Sequence, residues 1–185
     1  MKYIIFILIF FYPLNIFASS KQLIKDKLEE TENISFKFIQ KIGKKTEQGE
    51  CIISYPKKIL CKYDDIYNKI LVSNGRSLVI KTENSYYIYP IDKTPLSLIL
   101  DKKFLLKKVN DLEERIIDNK FINYNFFENE NEINLFFDRK TFNLIGWQTV
   151  DIYQNLSITY LSTIIKNQEL DRNLFNLPER NWSNW

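Results

Sequence analysis

The sequence predicts a mainly β fold with a few helices (α+β). We expect an antiparallel sheet of about 11 strands, curved strongly enough to form an incomplete barrel, with helices covering one side. Three observations carry this expectation. Apolar residues alternate with period two over most of the chain, as at Ile34, Phe36 and Phe38, and only two stretches keep the 3.6 period of a helix. Turn-forming residues separate the short runs. Aromatic residues make up 15% of the 185, so one face of the sheet must hide a large area of ring.

The chain opens on Lys2, an unbroken apolar run from Tyr3 to Tyr12, the helix breaker Pro13, and small residues at Ala18, Ser19 and Ser20. This is the pattern of a secretory signal peptide. A membrane-spanning helix needs ~20 apolar residues, and Pro13 and Asn15 stop the run well short. Residues 1–18 are expected to be removed, with cleavage after Ser20 as the alternative. Residues 19–185 are then expected to form one domain, since about 165 residues suffice for one core and not comfortably for two. No cysteine stands near either cleavage point to accept a lipid anchor, which predicts a soluble exported protein.

From Gln22 to Glu32, Leu23, Ile24 and Leu28 occupy one face of a helix, and Ser19 with Gln22 has the spacing of a capping box. Strands follow at 34–42, 48–55, 59–64, 68–74, 77–82 and 85–89. Asn74-Gly75 and Glu83-Asn84-Ser85 supply turns. The stretch TPLSLILDKKFLLKK, Thr94 to Lys108, predicts one helix, with Thr94 as N-cap and Pro95 in the first helical position. It is apolar around much of its circumference, so it is either a core helix or one that closes over a ligand. Further strands are expected at 112–118, 120–127, 131–138, 142–153 and 156–166, with an irregular tail from Leu170 to Trp185.

The chain has no histidine, which excludes histidine triads, imidazole bases and histidine metal sites. Four glycines in no phosphate-binding spacing imply no nucleotide cofactor. The carboxylates at Glu113-Glu114, Asp64-Asp65 and Glu128-Glu130-Glu132 read as solvated turns and strand faces rather than as catalytic pairs. Lys57, Lys58 and Lys62, with Lys102, Lys103, Lys107 and Lys108, form either a solubilising face or a basic rim for a partner. Without Lys2 there are 25 basic and 23 acidic residues, which is no nucleic-acid signature. No cofactor and no enzyme activity are expected.

Cys51 and Cys61 are the only thiols, and they stand equally far from the turn at Pro56 and Lys57. Two strands joined there would make them cross-strand neighbours. In an oxidising compartment they can pair, and closing a loop of about 11 residues stabilises by roughly 2.8 kcal/mol. Two buried free thiols are the alternative, whereas two cysteines without histidine make a poor metal site.

The order of several short motifs resembles the outer-membrane lipoprotein carrier family, LolA, over nearly the whole mature chain. After the first helix, FKFIQ carries Phe38 and Gln40 in the family's F-x-Q; Gln48-Gly49 follows, then a strand ending at Pro56. KILVSNGRSLVI, Lys69 to Ile80, resembles its strand-turn-strand, and YPIDKTPLSLIL the stretch that forms its lid helix. FDRKTFNLIGWQTVDIYQNLSITYL, with Trp147 and Asp151, resembles the final strand pair, and LDRNLFNLP, with Phe175 and Pro178, the usual close.

The resemblance implies an unclosed barrel with a helical lid. Its hydrophobic cavity would receive the acyl chains of lipoproteins from an inner-membrane ABC transporter and pass them to an outer-membrane acceptor, in the periplasm, the protein acting as a monomer. It nominates Ile59, three places after Pro56, and Leu96 and Ile99 on the lid as lipid-binding. Strand alternation adds Phe36, Phe38, Ile53, Tyr55, Val72, Leu78 and Ile80, and a one-residue register error would turn each set outward. Tyr55 stands where some members carry a basic residue, the cysteine pair is not a general family feature, and the chain stops soon after Pro178. A related lipid or glycolipid binder of the same fold, acting as sensor or carrier, is the competing reading.

Overall fold

The computed structural model describes residues 18–128, 130–151 and 154–180. The leader expected at 1–18 therefore lies outside the described residues, except for Ala18. Among the described residues, two helices, a short helical turn and a 3-10 turn (Ile91–Lys93) accompany 11 strands. In chain order they are α1 (Ser20–Glu29), β1 (Asn33–Ile42), β2 (Lys45–Ser54), β3 (Lys58–Tyr63), β4 (Ile70–Asn74), β5 (Ser77–Lys81) and β6 (Tyr86–Pro90). Then come the turn α2 (Leu96–Ile99), α3 (Lys102–Asp111), β7 (Arg115–Ile117), β8 (Phe121–Glu128), β9 (Asn131–Asp138), β10 (Leu144–Val150) and β11 (Leu156–Lys166).

The strands form one antiparallel sheet in the order β6-β5-β4-β3-β2-β1-β11-β10-β9-β8-β7. Its edges, β6 and β7, are consecutive in the chain, yet they do not pair. The connection between them is the helical segment, and the barrel stays unclosed. Two glycines permit the curvature. A Cβ at Gly49 would lie 2.0 Å from the Lys62 carbonyl oxygen, and one at Gly146 would lie 2.7 Å from that of Thr159; no other residue allows strands to approach so closely.

Helix α1 begins as its residues dictate. The Ser19 hydroxyl accepts from the Gln22 N–H at 3.2 Å, but the Gln22 amide turns forward to Asp26 at 2.7 Å, so only half of the capping box forms. The helix ends three residues earlier than expected, because the Thr31 hydroxyl donates back to the Lys27 carbonyl at 2.6 Å and closes the last turn. At the hairpin after β4, Gly75 takes φ +94° while the Asn74 side chain accepts from the N–H groups of Arg76 and Ser77. The asparagine thus caps the turn rather than adopting the left-handed conformation itself.

The expected single helix over 94–108 is broken. Thr94 adopts an extended conformation and its hydroxyl donates to the Ile91 carbonyl, so it ends a 3-10 turn at Ile91–Lys93 instead of capping a helix. The short α2 follows Pro95, which is helical in its dihedrals. Asp101 then restarts the chain as N-cap of α3, accepting from the Phe104 N–H at 3.1 Å. Asp101, read as one more helical residue, is the residue that divides the segment. The Lys57 N–H, in the β2–β3 turn, donates to the Leu100 carbonyl at 2.8 Å and ties the break to the sheet.

The core lies between the concave face and the helices. Ile24 and Leu28 of α1, Ile99 and Leu100 at α2, and Leu105 and Val109 of α3 pack with Phe36, Ile53, Tyr124 and Phe137 of the sheet. On the convex face the tail is strapped down. The Tyr86 hydroxyl donates to the Pro178 carbonyl, the Lys81 ammonium to that of Glu179, and Phe175 is buried.

Candidate functional site

Helices fill only part of the concave face. The remainder is a cavity of about 450 Å³ lined by β1–β6, β10 and β11, with Leu96 and Pro95 along one side. Strand parity decides which side chains reach it. Phe36 pairs with Cys51, Cys51 with Cys61, and Cys61 with Leu71, and paired residues share a face. The two cysteines form the disulfide, and it belongs to the cavity wall. The alternative of two free thiols is thereby removed.

Of the nominated residues, Phe38, Ile59, Leu78, Ile80 and Leu96 line the cavity. Phe36, Ile53 and Tyr55 lie on the same face but under the helices, in the core or packed against it, and Ile99 is fully buried there. Val72 is misplaced. It pairs with Leu60 and Val79, whereas Leu78 and Ile80 pair with Ser73 and Leu71, so Val72 points to the convex face. This is the one-residue parity error that strand alternation invites when the register across a turn is not yet known.

Sequence reasoning did not nominate Tyr63, Leu71, Gln40 or Trp147 for the cavity, although Gln40 and Trp147 stand in the motifs that carry the resemblance; all four are in its wall. The signal that would have found two of them was present. Once Cys51 and Cys61 are cross-strand partners, Tyr63 shares their face two positions on, and Leu71 follows from the next pairing. Phe38 meets the Tyr63 ring edge-on at 5.0 Å and Phe36 meets Trp147 at 6.2 Å, geometry in which aromatic pairs attract.

The far end of the cavity is polar and its charges are paired. Glu47, 8% exposed, receives Lys45 at 2.6 Å and Lys69 at 2.7 Å. Burial pushes its carboxyl upward, but the hydrogen bonds and charges of the two lysines outweigh this and hold it below the ordinary carboxylate value. The Lys69 ammonium also sits 3.9 Å from the centre of the Tyr63 ring. Burial raises the Tyr63 phenol well above its usual range, and its hydroxyl donates to the Gln40 side-chain oxygen at 3.4 Å.

Position 55 is a tyrosine, and lysines fasten the helical segment to its surroundings. Lys57 pairs with Asp92 at 2.6 Å, and the Lys102 ammonium donates to the carbonyls of Thr31 and Glu29 and lies 6.0 Å from the Tyr55 ring centre. Lys57 and Lys102, two of the lysines read as a solubilising face or a basic rim, are thus held by contacts within the chain. Among the described residues there is no group of side chains able to hold a metal ion, and no helix is long and apolar enough to cross a membrane.

A family model described as outer membrane lipoprotein carrier protein LolA matches residues 29–178. No curated protein sequence gives a match. Among solved structures, an uncharacterized conserved protein of Thermus thermophilus is 10% identical, with a TM-score of 0.52 over 87% of this chain and 96% of that one. A LolA superfamily protein of Nitrosomonas europaea is 9% identical, with a TM-score of 0.42 over 86% and 99%. MucB in its complex with MucA, from Pseudomonas aeruginosa, is 10% identical, with a TM-score of 0.47 over 87% and 62%. At such identities these likenesses concern the fold alone; the family match, which spans most of the sequence, goes further, and the chain belongs to the LolA family of outer membrane lipoprotein carrier proteins.

Proposed function

We propose that the protein is a periplasmic carrier. It takes the acyl chains of lipoproteins released by an inner-membrane ABC transporter, shields them from water, and delivers the cargo to an outer-membrane acceptor. The observation that carries this reading is the cavity itself, a trough of about 450 Å³ with Leu96 of the lid along its side, in a chain of the carrier family. The protein acts by binding as a monomer, and makes or breaks no bond.

Energetics support a loose grip. Burying a methylene gains ~0.8 kcal/mol, so a chain of about 15 methylenes represents roughly 12 kcal/mol and three such chains roughly 36. Non-covalent affinities level off near about 18–21 kcal/mol. A carrier that realised the full amount could not release its cargo. The cavity falls within the roughly 300–1,000 Å³ of sites for single small ligands, so several chains are accommodated only if the lid yields. Leu96, half-buried at the cavity's side, is the apolar group that lipid displaces.

The test uses the mature protein with a synthetic triacylated cysteinyl peptide and the same peptide without acyl chains. The acylated form binds and the bare peptide does not. Leu96→Glu weakens binding at least about tenfold, the effect of roughly 1.4 kcal/mol, while the melting temperature stays close to wild type. Failure of the acylated peptide to bind, or normal binding by Leu96→Glu, contradicts the assignment.

A further inference from the structure

One wall of the cavity carries a cluster of hydroxyls on β10 and β11. Gln40 of β1 stands opposite Thr159 of β11, and Ser157 opposite Thr149 of β10, which puts all four on the concave face and in the cavity wall. They lie toward the β1–β2 turn. The lid is tied at the other end of these strands, where Lys57 meets Leu100.

The hydrogen bonding at this wall is one-sided. The Gln40 amide donates to Ser157 Oγ at 2.9 Å and to Thr159 Oγ1 at 3.2 Å. Both hydroxyl oxygens are thereby used as acceptors, and among the described residues neither donates onward. Thr149 is 6% exposed, and its Oγ1 has no partner among the described residues. Buried hydroxyls in native proteins are almost always satisfied. Three O–H donors in the cavity wall thus make no hydrogen bond to an acceptor among the described residues.

Of the neighbouring charges, Lys45 and Lys69 are both taken up by Glu47, and the Asp151 carboxylate, also in the lining, accepts from the Asn155 backbone N–H and side-chain amide. What the wall offers is neutral hydrogen-bond donation beside an apolar surface of Ile59, Leu78 and the disulfide. The complementary ligand is an uncharged acceptor attached to hydrocarbon. We infer that Thr149, Ser157 and Thr159 form a subsite for the ester or amide carbonyls that join acyl chains to their polar head. This rests on the acyl-carrier reading and deepens it. The methylenes lie against the apolar wall, and the linkage is held at the hydroxyls, which sets how deep the chains go.

Dioctanoylglycerol and dioctylglycerol ether share chains and glycerol but differ in the carbonyls, so titrating each into the mature protein by calorimetry isolates the subsite. Wild type binds the ester about tenfold more tightly than the ether, the value of one to two hydrogen bonds. Thr149→Val, which keeps the shape and removes the hydroxyl, melts no lower than wild type. It binds the ether unchanged and loses about fivefold of its preference for the ester. Equal binding of ester and ether by wild type, or a full preference retained by Thr149→Val, overturns the subsite and leaves the acyl carrier standing. Failure of both lipids to bind removes the carrier reading and the subsite together.

Discussion

Glu47 shows how a charge is kept at the end of an apolar cavity. Its carboxylate is nearly out of water, and two ammonium groups within 2.7 Å compensate the lost hydration. The folded pKa lies below the ordinary value of 4.5, so its contribution is fully present above the unfolded value and is lost as pH falls through the folded one. Glu47→Gln should therefore unfold at lower denaturant concentration than wild type at pH 7, and the gap should narrow below about pH 4. A gap that persists unchanged at pH 2 contradicts this account. Leu78 and Ile80 were placed correctly and Val72 was not, because alternation fixes parity within a strand, whereas the offset across a turn depends on the turn's own geometry.

At the scale of elements, the strands were legible because their period is two and their turns carry Asn, Gly and Pro. Ten-residue β1 and 11-residue β11 stand almost where the pattern put them. The helical segment between the sheet edges was legible as helical, but not as broken. Its leucines satisfy helical spacing on both sides of Asp101, and nothing local distinguishes an interior aspartate from an N-cap until the chain is known to turn there. Asp101→Ala should cost about 1 kcal/mol through loss of the cap on α3, read as a lower urea midpoint with an unchanged slope. An unaltered midpoint would mean that tertiary packing alone holds the break. The polar wall at Gln40, Thr149, Ser157 and Thr159 was invisible at this scale. Its residues come from three strands, two of them more than 100 positions along the chain from the first, and only β1–β11 pairing brings them together.

For the whole molecule, the sheet closes through its first and last strands, β1 beside β11, and stays open between β6 and β7. The helices that bridge the opening bury Leu100 and Leu105 completely and leave the other part of the concave face as the cavity. The curved sheet follows from composition and periodicity, whereas the division of its inner face between core and cavity depends on where the helical segment lands. The disulfide clamps β2 to β3 in the cavity wall. Replacing both cysteines with serine should destabilise the protein by roughly 3 kcal/mol in a denaturant titration, the value of the closed loop in the unfolded chain. A loss well under about 1 kcal/mol would mean that the sheet pairing makes the clamp redundant.

The central claim is that the cavity carries acyl chains of lipoproteins. It is tested most directly by purifying the protein from its native cells and identifying bound material by mass spectrometry. Diacylated or triacylated lipoprotein bound to wild type and depleted from Leu96→Glu is the predicted result. Free phospholipid or glycolipid with no acylated protein would contradict it, keeping the cavity as a lipid site and assigning its cargo to another class.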